Sequence, residues 1–188
     1  MIDVIIYVIG TVILAMWLMI PAYISNPMAV VFGGGTPIDR GMKWTDGQRI
    51  LGDGKTIRGL IGGTACGIVA GIMQIYIASY FASAFSILII PTMTAVITLS
   101  FGALLGDLIK SFFKRRIGFV RGAELPLIDQ LDFVAGAWLL TYIFDPVWFT
   151  ENFISSPSII VTVLVLTPIL HRLTNIFGYS IKLKKEPW

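Results

Sequence analysis

Five apolar runs, uncharged except for Asp145 near the far end of the fourth and each near the length a helix needs to cross about 30 Å of hydrocarbon, occur in this 188-residue chain. They lie at about 4–24, 59–81, 87–106, 133–150 and 157–170, the last extending as a span to about 177. A segment in lipid must satisfy its own backbone hydrogen bonds, so runs of this length read as helices. The composition agrees: 56% hydrophobic and 13% charged residues, with a mean hydropathy of +0.84, against about 45–50% and 25% in a soluble domain. The expected fold is all-α, one polytopic transmembrane domain over 1–188 with no separate soluble unit. Residues 1–24 carry Asp3 in place of a basic start and lack a small-residue cleavage site, so they read as a retained span and not a signal peptide. The single cysteine, Cys66, lies in an apolar run, which excludes an intrachain disulfide.

All 14 Lys and Arg residues fall in three places. Arg40, Lys43, Arg49, Lys55 and Arg58 lie between the first and second runs; Lys110, Lys114, Arg115, Arg116 and Arg121 between the third and fourth; Arg172, Lys182, Lys184 and Lys185 after the fifth. Five crossings put all three groups on one side, and the positive-inside rule makes that side the cytoplasm. The N-terminus is then outside and the C-terminus inside, in a cell membrane. The other side receives Asp3, Asp145, Glu151 and a short turn near 80–86. Gly59, Gly63, Gly67 and Gly71 recur every fourth residue, as do Gly102 and Gly106; such spacing lets helix backbones approach closely, and helix packing is the better reading of it.

Two cytoplasmic loops, 25–58 and 107–132, carry the polar chemistry. The first is dense in glycine, proline and charge, and its core Gly52-Asp53-Gly54-Lys55-Thr56 offers close backbone approach, a lysine for a phosphate and a carboxylate for a metal or ribose hydroxyl. A tight turn capping the second span, with Lys55 and Arg58 on lipid headgroups, is the plainer alternative. In the second loop, Asp107, Lys110, Ser111 and Lys114 fall at i, i+3, i+4 and i+7, one face of a helix continuing out of the third span. This stripe suits a metal-bound polyphosphate; a snorkelling anchor face would explain the lysines but neither Asp107 nor Ser111. Asp129 and Asp132 are three apart after Pro126, so both face one way on the first turns of the fourth span. They form a candidate magnesium site, although acids are also favoured at a helix N-terminus by the dipole. His171, the sole histidine, sits beside Arg172 at the interface, and there is no zinc-ligand cluster. Transfer of a nucleotidyl group to a lipid phosphate fits this inventory, because an anionic nucleophile needs no general base and the barrier falls when cations hold repelling anions in line.

Pro21-Ala-Tyr-Ile-Ser-Asn26, Phe32-Gly-Gly-Gly35 with Pro37 and Asp39, Asp46-Gly47, Gly52-Asp-Gly-Lys-Thr56 with Arg58-Gly59, Gly106-Asp107, Ser111-Phe-Phe-Lys114-Arg115 and Asp129-Gln-Leu-Asp132 together resemble the archaeal CDP-archaeol synthases. These are relatives of the phosphatidate cytidylyltransferases, and the likeness covers most of the chain. It implies a magnesium-dependent enzyme that joins CTP to an unsaturated archaetidic acid, releasing pyrophosphate and forming CDP-archaeol, with no nucleic-acid partner. It also implies that Asp107, Asp129 and Asp132 hold magnesium and the triphosphate, with Lys114 alongside them as catalytic. Lys110, Ser111 and Arg115 would contact phosphates; Asp53, Lys55, Thr56 and Arg58 would bind CTP or the lipid phosphate from the opposing loop; Asn26 and Gln130 complete the substrate contacts. Gln130 stands where the broader superfamily has an arginine, and that superfamily's Lys-Asp between the two motifs is absent. Two other readings compete: a membrane transporter, disfavoured because the charges lie outside or at the ends of the spans, and a CDP-alcohol phosphotransferase, whose aspartate-rich helix Asp129-Gln-Leu-Asp132 does not match.

Overall fold

The structure, a computed structural model, describes residues 2–81, 88–119, 125 and 127–182. Six α-helices follow in order: α1 Ile2–Val31, α2 Ile57–Phe81, α3 Met93–Arg116, α4 Ile128–Phe144, α5 Pro146–Phe149 and α6 Pro157–Ser180, with a π-helical turn at Thr150–Ile154 before α6. Among the described residues there is no strand; two isolated bridges, Pro37 with Thr56 and Lys43 with Arg49, sit in the loop between α1 and α2. Four helices, α1, α2, α3 and α6, are long and apolar enough to cross a membrane. Arg121, Pro126, Lys184, Lys185 and most of the expected 80–86 turn lie outside the described residues.

The loop expected from residue 25 begins later, because α1 continues through Ser25, Asn26 and Pro27 to Val31. Packing overrides the helix-breaking tendency of those residues. A Cβ at Gly63 would stand 2.7 Å from the Ser25 carbonyl oxygen, and one at Gly59 the same distance from that of Ala29. The bare face of α2 thus holds the end of α1 against it. Ser25, fully buried, turns its hydroxyl back to the Pro21 carbonyl at 2.8 Å. Gly34 and Gly35, at φ +95° and +75°, then stop the helix where a side chain would be strained. The every-fourth glycines are therefore packing residues, as expected, with Gly71 set against Val96 of α3.

The fourth run also differs in its bounds. Its helix starts at Ile128 and ends at Phe144, with 17 residues instead of the expected 133–150. Asp145 ends it by capping the next helix, accepting from the Trp148 amide at 3.3 Å, ahead of Pro146. α4 runs antiparallel to α3 over its whole length: Asp145 accepts from Thr92, Thr141 pairs with Thr98 at 2.9 Å, and Gly136 and Asp132 face Gly102 and Gly106. The core lies between α1, α3, α4 and α6, from Leu18, Met19, Leu99, Phe133, Val134, Phe153 and Val163. Large apolar side chains such as Ile6, Tyr76, Leu139 and Val165 stay exposed on the outside, as lipid-facing surfaces require.

Candidate active site

The glycine seam between α3 and α4 sets the site, because it brings their polar ends side by side. As the i, i+3, i+4, i+7 stripe predicts, α3 continues past the last apolar residues to Arg116, with Lys114, Arg115 and Arg116 in its last turn where the helix dipole favours cations. Asp129 and Asp132 lie on the first turns of α4. Lys110 of α3 stands at the centre: its Nζ lies 3.0 Å from Asp107 Oδ1, 2.8 Å from Asp132 Oδ2 and 3.5 Å from Asp129 Oδ1. Lys55, reaching from the α1–α2 loop, pairs with the other oxygen of Asp107. Lys114 closes the far side, 2.9 Å from each oxygen of Asp129, whose Oδ2 also accepts from the Leu125 amide at 2.6 Å. Lysines and carboxylates therefore alternate from Lys55 to Lys114. All but Lys55 are 20% exposed or less, so these charges are partly desolvated and each depends on its neighbours.

A cavity of about 280 Å³ opens beside this chain of charges. Its lining is part polar, from Asp53, Lys55, Thr56 and Asp107, and part apolar, from Ala29, Val30, Ile38, Leu60, Leu104 and Leu108. A ligand with a charged head and an apolar body matches such a lining. Thr56 lines the cavity and also caps α2, its Oγ1 accepting from the Gly59 amide at 3.1 Å.

The other expected residues lie around this centre. Ser111 is buried, one position after Lys110. Arg115 donates to the Phe119 carbonyl at 2.6 Å and passes 3.4 Å from where a Gly52 Cβ would stand, so α3 abuts the Gly52–Thr56 loop. Arg58 is exposed, its stem crossing Gly35. Asn26 is on α1, a turn before the cavity-lining Ala29 and Val30. Gln130, half-buried, follows Asp129 on α4, off the face that Asp129 and Asp132 share.

Sequence reasoning gave no role to Asp39, Arg49 or Arg116, which build the loop. Asp39 is buried against Arg49 and three backbone amides. Arg116 donates to the Arg49 carbonyl, pairs with Asp46 at 3.2 Å and lies 5.0 Å over the Phe112 ring, against which Trp44 packs edge-on. The Arg49 guanidinium, aided by those amides, holds the Asp39 carboxyl well below the usual carboxylate range. A depressed carboxylate contributes stability that is complete above its unfolded pKa of about 3.9 and is lost as pH falls toward the folded value. Thermal melting should thus show no loss from this pair between pH 8 and 5, and Asp39→Asn should flatten the fall in melting temperature below pH 4.

Comparison with known proteins decides the family. The CarS-like family, described as CDP-archaeol synthase, matches residues 4–188. The chain belongs to the CDP-archaeol synthase family. The CDP-archaeol synthase of Methanosarcina mazei is 53% identical over 180 residues, covering 90% of this chain and 100% of that one. That of Methanospirillum hungatei is 55% identical over 175 residues with the same coverage. A solved structure, described as an intramembrane enzyme for archaeal membrane lipid biosynthesis, aligns with a TM-score of 0.67 at 38% identity, over 86% of this chain and 92% of that one. The chain is thus a multi-pass membrane transferase of lipid biosynthesis.

Proposed function

We propose that the protein transfers the cytidylyl group of CTP to the phosphate of an unsaturated archaetidic acid, an isoprenoid ether lipid, yielding CDP-archaeol and pyrophosphate at the cytoplasmic face of the cell membrane. The observation that carries this reading is the half-polar, half-apolar cavity beside the Lys55–Asp107–Lys110–Asp132 chain, at the end of the bundle that holds every described basic residue of the two loops. In this reading α4 also crosses, fourth in chain order, and brings the total to five, since it runs beside α3 from Thr92 to Gly106; a 17-residue helix rises about 25 Å at 1.5 Å per residue. The basic loops then share one side, which the positive-inside rule makes cytoplasmic.

The donor set suits magnesium. Asp107, Asp129 and Asp132 supply only hard oxygen ligands, and the buried Oδ1 of Asp132 has no hydrogen-bond partner. Among the described residues no three acidic side chains stand close enough to ligate one ion as they are; Lys110 fills the place between them. When bound there, magnesium would neutralise the triphosphate and polarise its phosphorus. The chain's own residues do the rest. Lys110 and Lys114 exchange carboxylate for phosphate oxygens, with Ser111 and Arg115 beside them. Lys55 and Asp53 orient the second substrate from the opposing loop, Arg58, Asn26 and Gln130 flank it, and the apolar part of the lining seats the lipid's glycerol end. The nucleophile is already an anion, so no side chain has to remove a proton; the work is alignment and screening of charge.

Detergent-solubilised protein should release pyrophosphate from CTP only when both magnesium and the lipid phosphate are present, and ATP should substitute poorly. A transporter would release none. A CDP-alcohol phosphotransferase would consume a CDP-lipid and liberate CMP.

A further inference from the structure

Asp39 touches none of the lysines around Lys110, yet its carboxylate is the least solvent-exposed among the described acids, its side chain 1% exposed. An ion so placed is costly unless every lone pair is used, and here five donors converge on it. Its Oδ1 accepts from the Gly41 amide at 3.2 Å and from Arg49 Nη2; its Oδ2 accepts from Arg49 Nε at 3.1 Å, the Leu51 amide at 3.0 Å and the Gly52 amide at 2.9 Å.

Arg49 carries the contact onward, its Nη1 donating to Asp53 Oδ1 at 2.7 Å while its carbonyl accepts from Arg116 of α3. The residue before Asp39 acts on the same segment, since the Ile38 amide donates to the Lys55 carbonyl at 2.8 Å. The Gly52–Lys55 stretch is thus gripped at both ends from 38–39, and its two charged residues, Asp53 and Lys55, both line the cavity. Asp53 is 63% exposed and tied to Arg49, and Lys55 is a long chain tied at its tip to Asp107; the grip on 52–55 fixes the backbone from which both side chains reach.

We propose that Asp39 and Arg49 are a positioning pair: they touch no substrate, and they hold the Gly52–Lys55 segment in the one shape that presents Asp53 and Lys55 to a phosphate-bearing substrate in the cavity. The kinetic part of the test rests on the cytidylyl-transfer reading; the exchange part does not.

Asp39→Asn keeps the shape and removes the charge, and Arg49→Lys keeps the charge and removes the planar fork. Each variant is expected to raise the KM of one substrate about tenfold or more, leaving the other KM within about twofold. The double variant should be no worse than the worse single, because the two residues act as one unit. Amide exchange at 52–55 should quicken in both while that of α3 does not change. Asp39→Glu should bring the raised KM part of the way back.

Unchanged kinetic constants per folded molecule, with only the yield or melting temperature reduced, would overturn the proposal, as would additive effects in the double variant. If Asp39→Asn does not fold, Arg49→Lys carries the same test alone. If the wild-type protein transfers no cytidylyl group, the functional reading fails by itself. The pair then stands if exchange at 52–55 quickens in the variants, and falls if it does not.

Discussion

Asp132→Asn is expected to lower kcat by about a hundred- to a thousand-fold, the scale on which removal of one preorganised electrostatic group acts, while the protein still folds. The side chain is 6% exposed and shares Lys110 with two other carboxylates. Asparagine fills the same volume, and Lys110 keeps Asp107 at 3.0 Å, so no buried cation is left without a partner. What is lost is one negative charge and the buried Oδ1 that no protein donor uses. The measurement is radiolabel from CTP entering the lipid fraction, with elution profile and melting curve as controls for folding. Turnover within a few-fold of the wild type would remove Asp132 from the reacting centre.

Gly106→Val is expected to fail more broadly, losing activity and a large part of the folded yield together. A Cβ at Gly106 would run into the Asp132 carbonyl oxygen, 3.0 Å from its carbon and 3.1 Å from the Gly136 Cα. These are backbone atoms and cannot rotate away, so α3 and α4 must separate. Overpacking of this kind costs about 1–3 kcal/mol and sometimes more. Asp107 is the next residue, and Asp132 is the residue struck, so the same displacement draws apart two carboxylates that meet at Lys110. Ala135→Val is the control: it places the same side chain on the exposed side of α4, next to Gly136. Melting in detergent and cytidylyl transfer should both fall for the first and change little for the second. Equal behaviour of the two would show that the α3–α4 approach is not what assembles the site.

Features set by periodicity are legible in the amino-acid sequence. The glycine spacing points to close packing, the Asp107 to Lys114 stripe to a helix outrunning the apolar span, and the Asp129–Asp132 spacing to two acids on one face. Boundaries are harder. Ser25, Asn26 and Pro27 read locally as a helix end, but α2's glycines reward continuing the helix, and that reward is tertiary. Asp145 could have been read as a stop, since an acid before proline is a common helix start. The capping role of Thr56 is visible in the same way, as a hydroxyl just ahead of a helix. No local pattern reveals that Lys110 sits among three carboxylates from two helices, or that Asp39 and Arg49, ten positions apart in an irregular loop, find each other. Those facts depend on how separate segments meet.

The alternation of Asp107, Asp129 and Asp132 with Lys55, Lys110 and Lys114 makes the cluster behave like a small internal salt crystal with no excess of either sign. Its field largely cancels at a distance, so such a lattice can rest against hydrocarbon without drawing in stray ions. A newcomer can join it only by exchange, an anion taking a carboxylate's place on a lysine or a cation a lysine's place among carboxylates. An anion and a cation entering together disturb that balance less than either alone, and each should therefore tighten the hold on the other by the same factor.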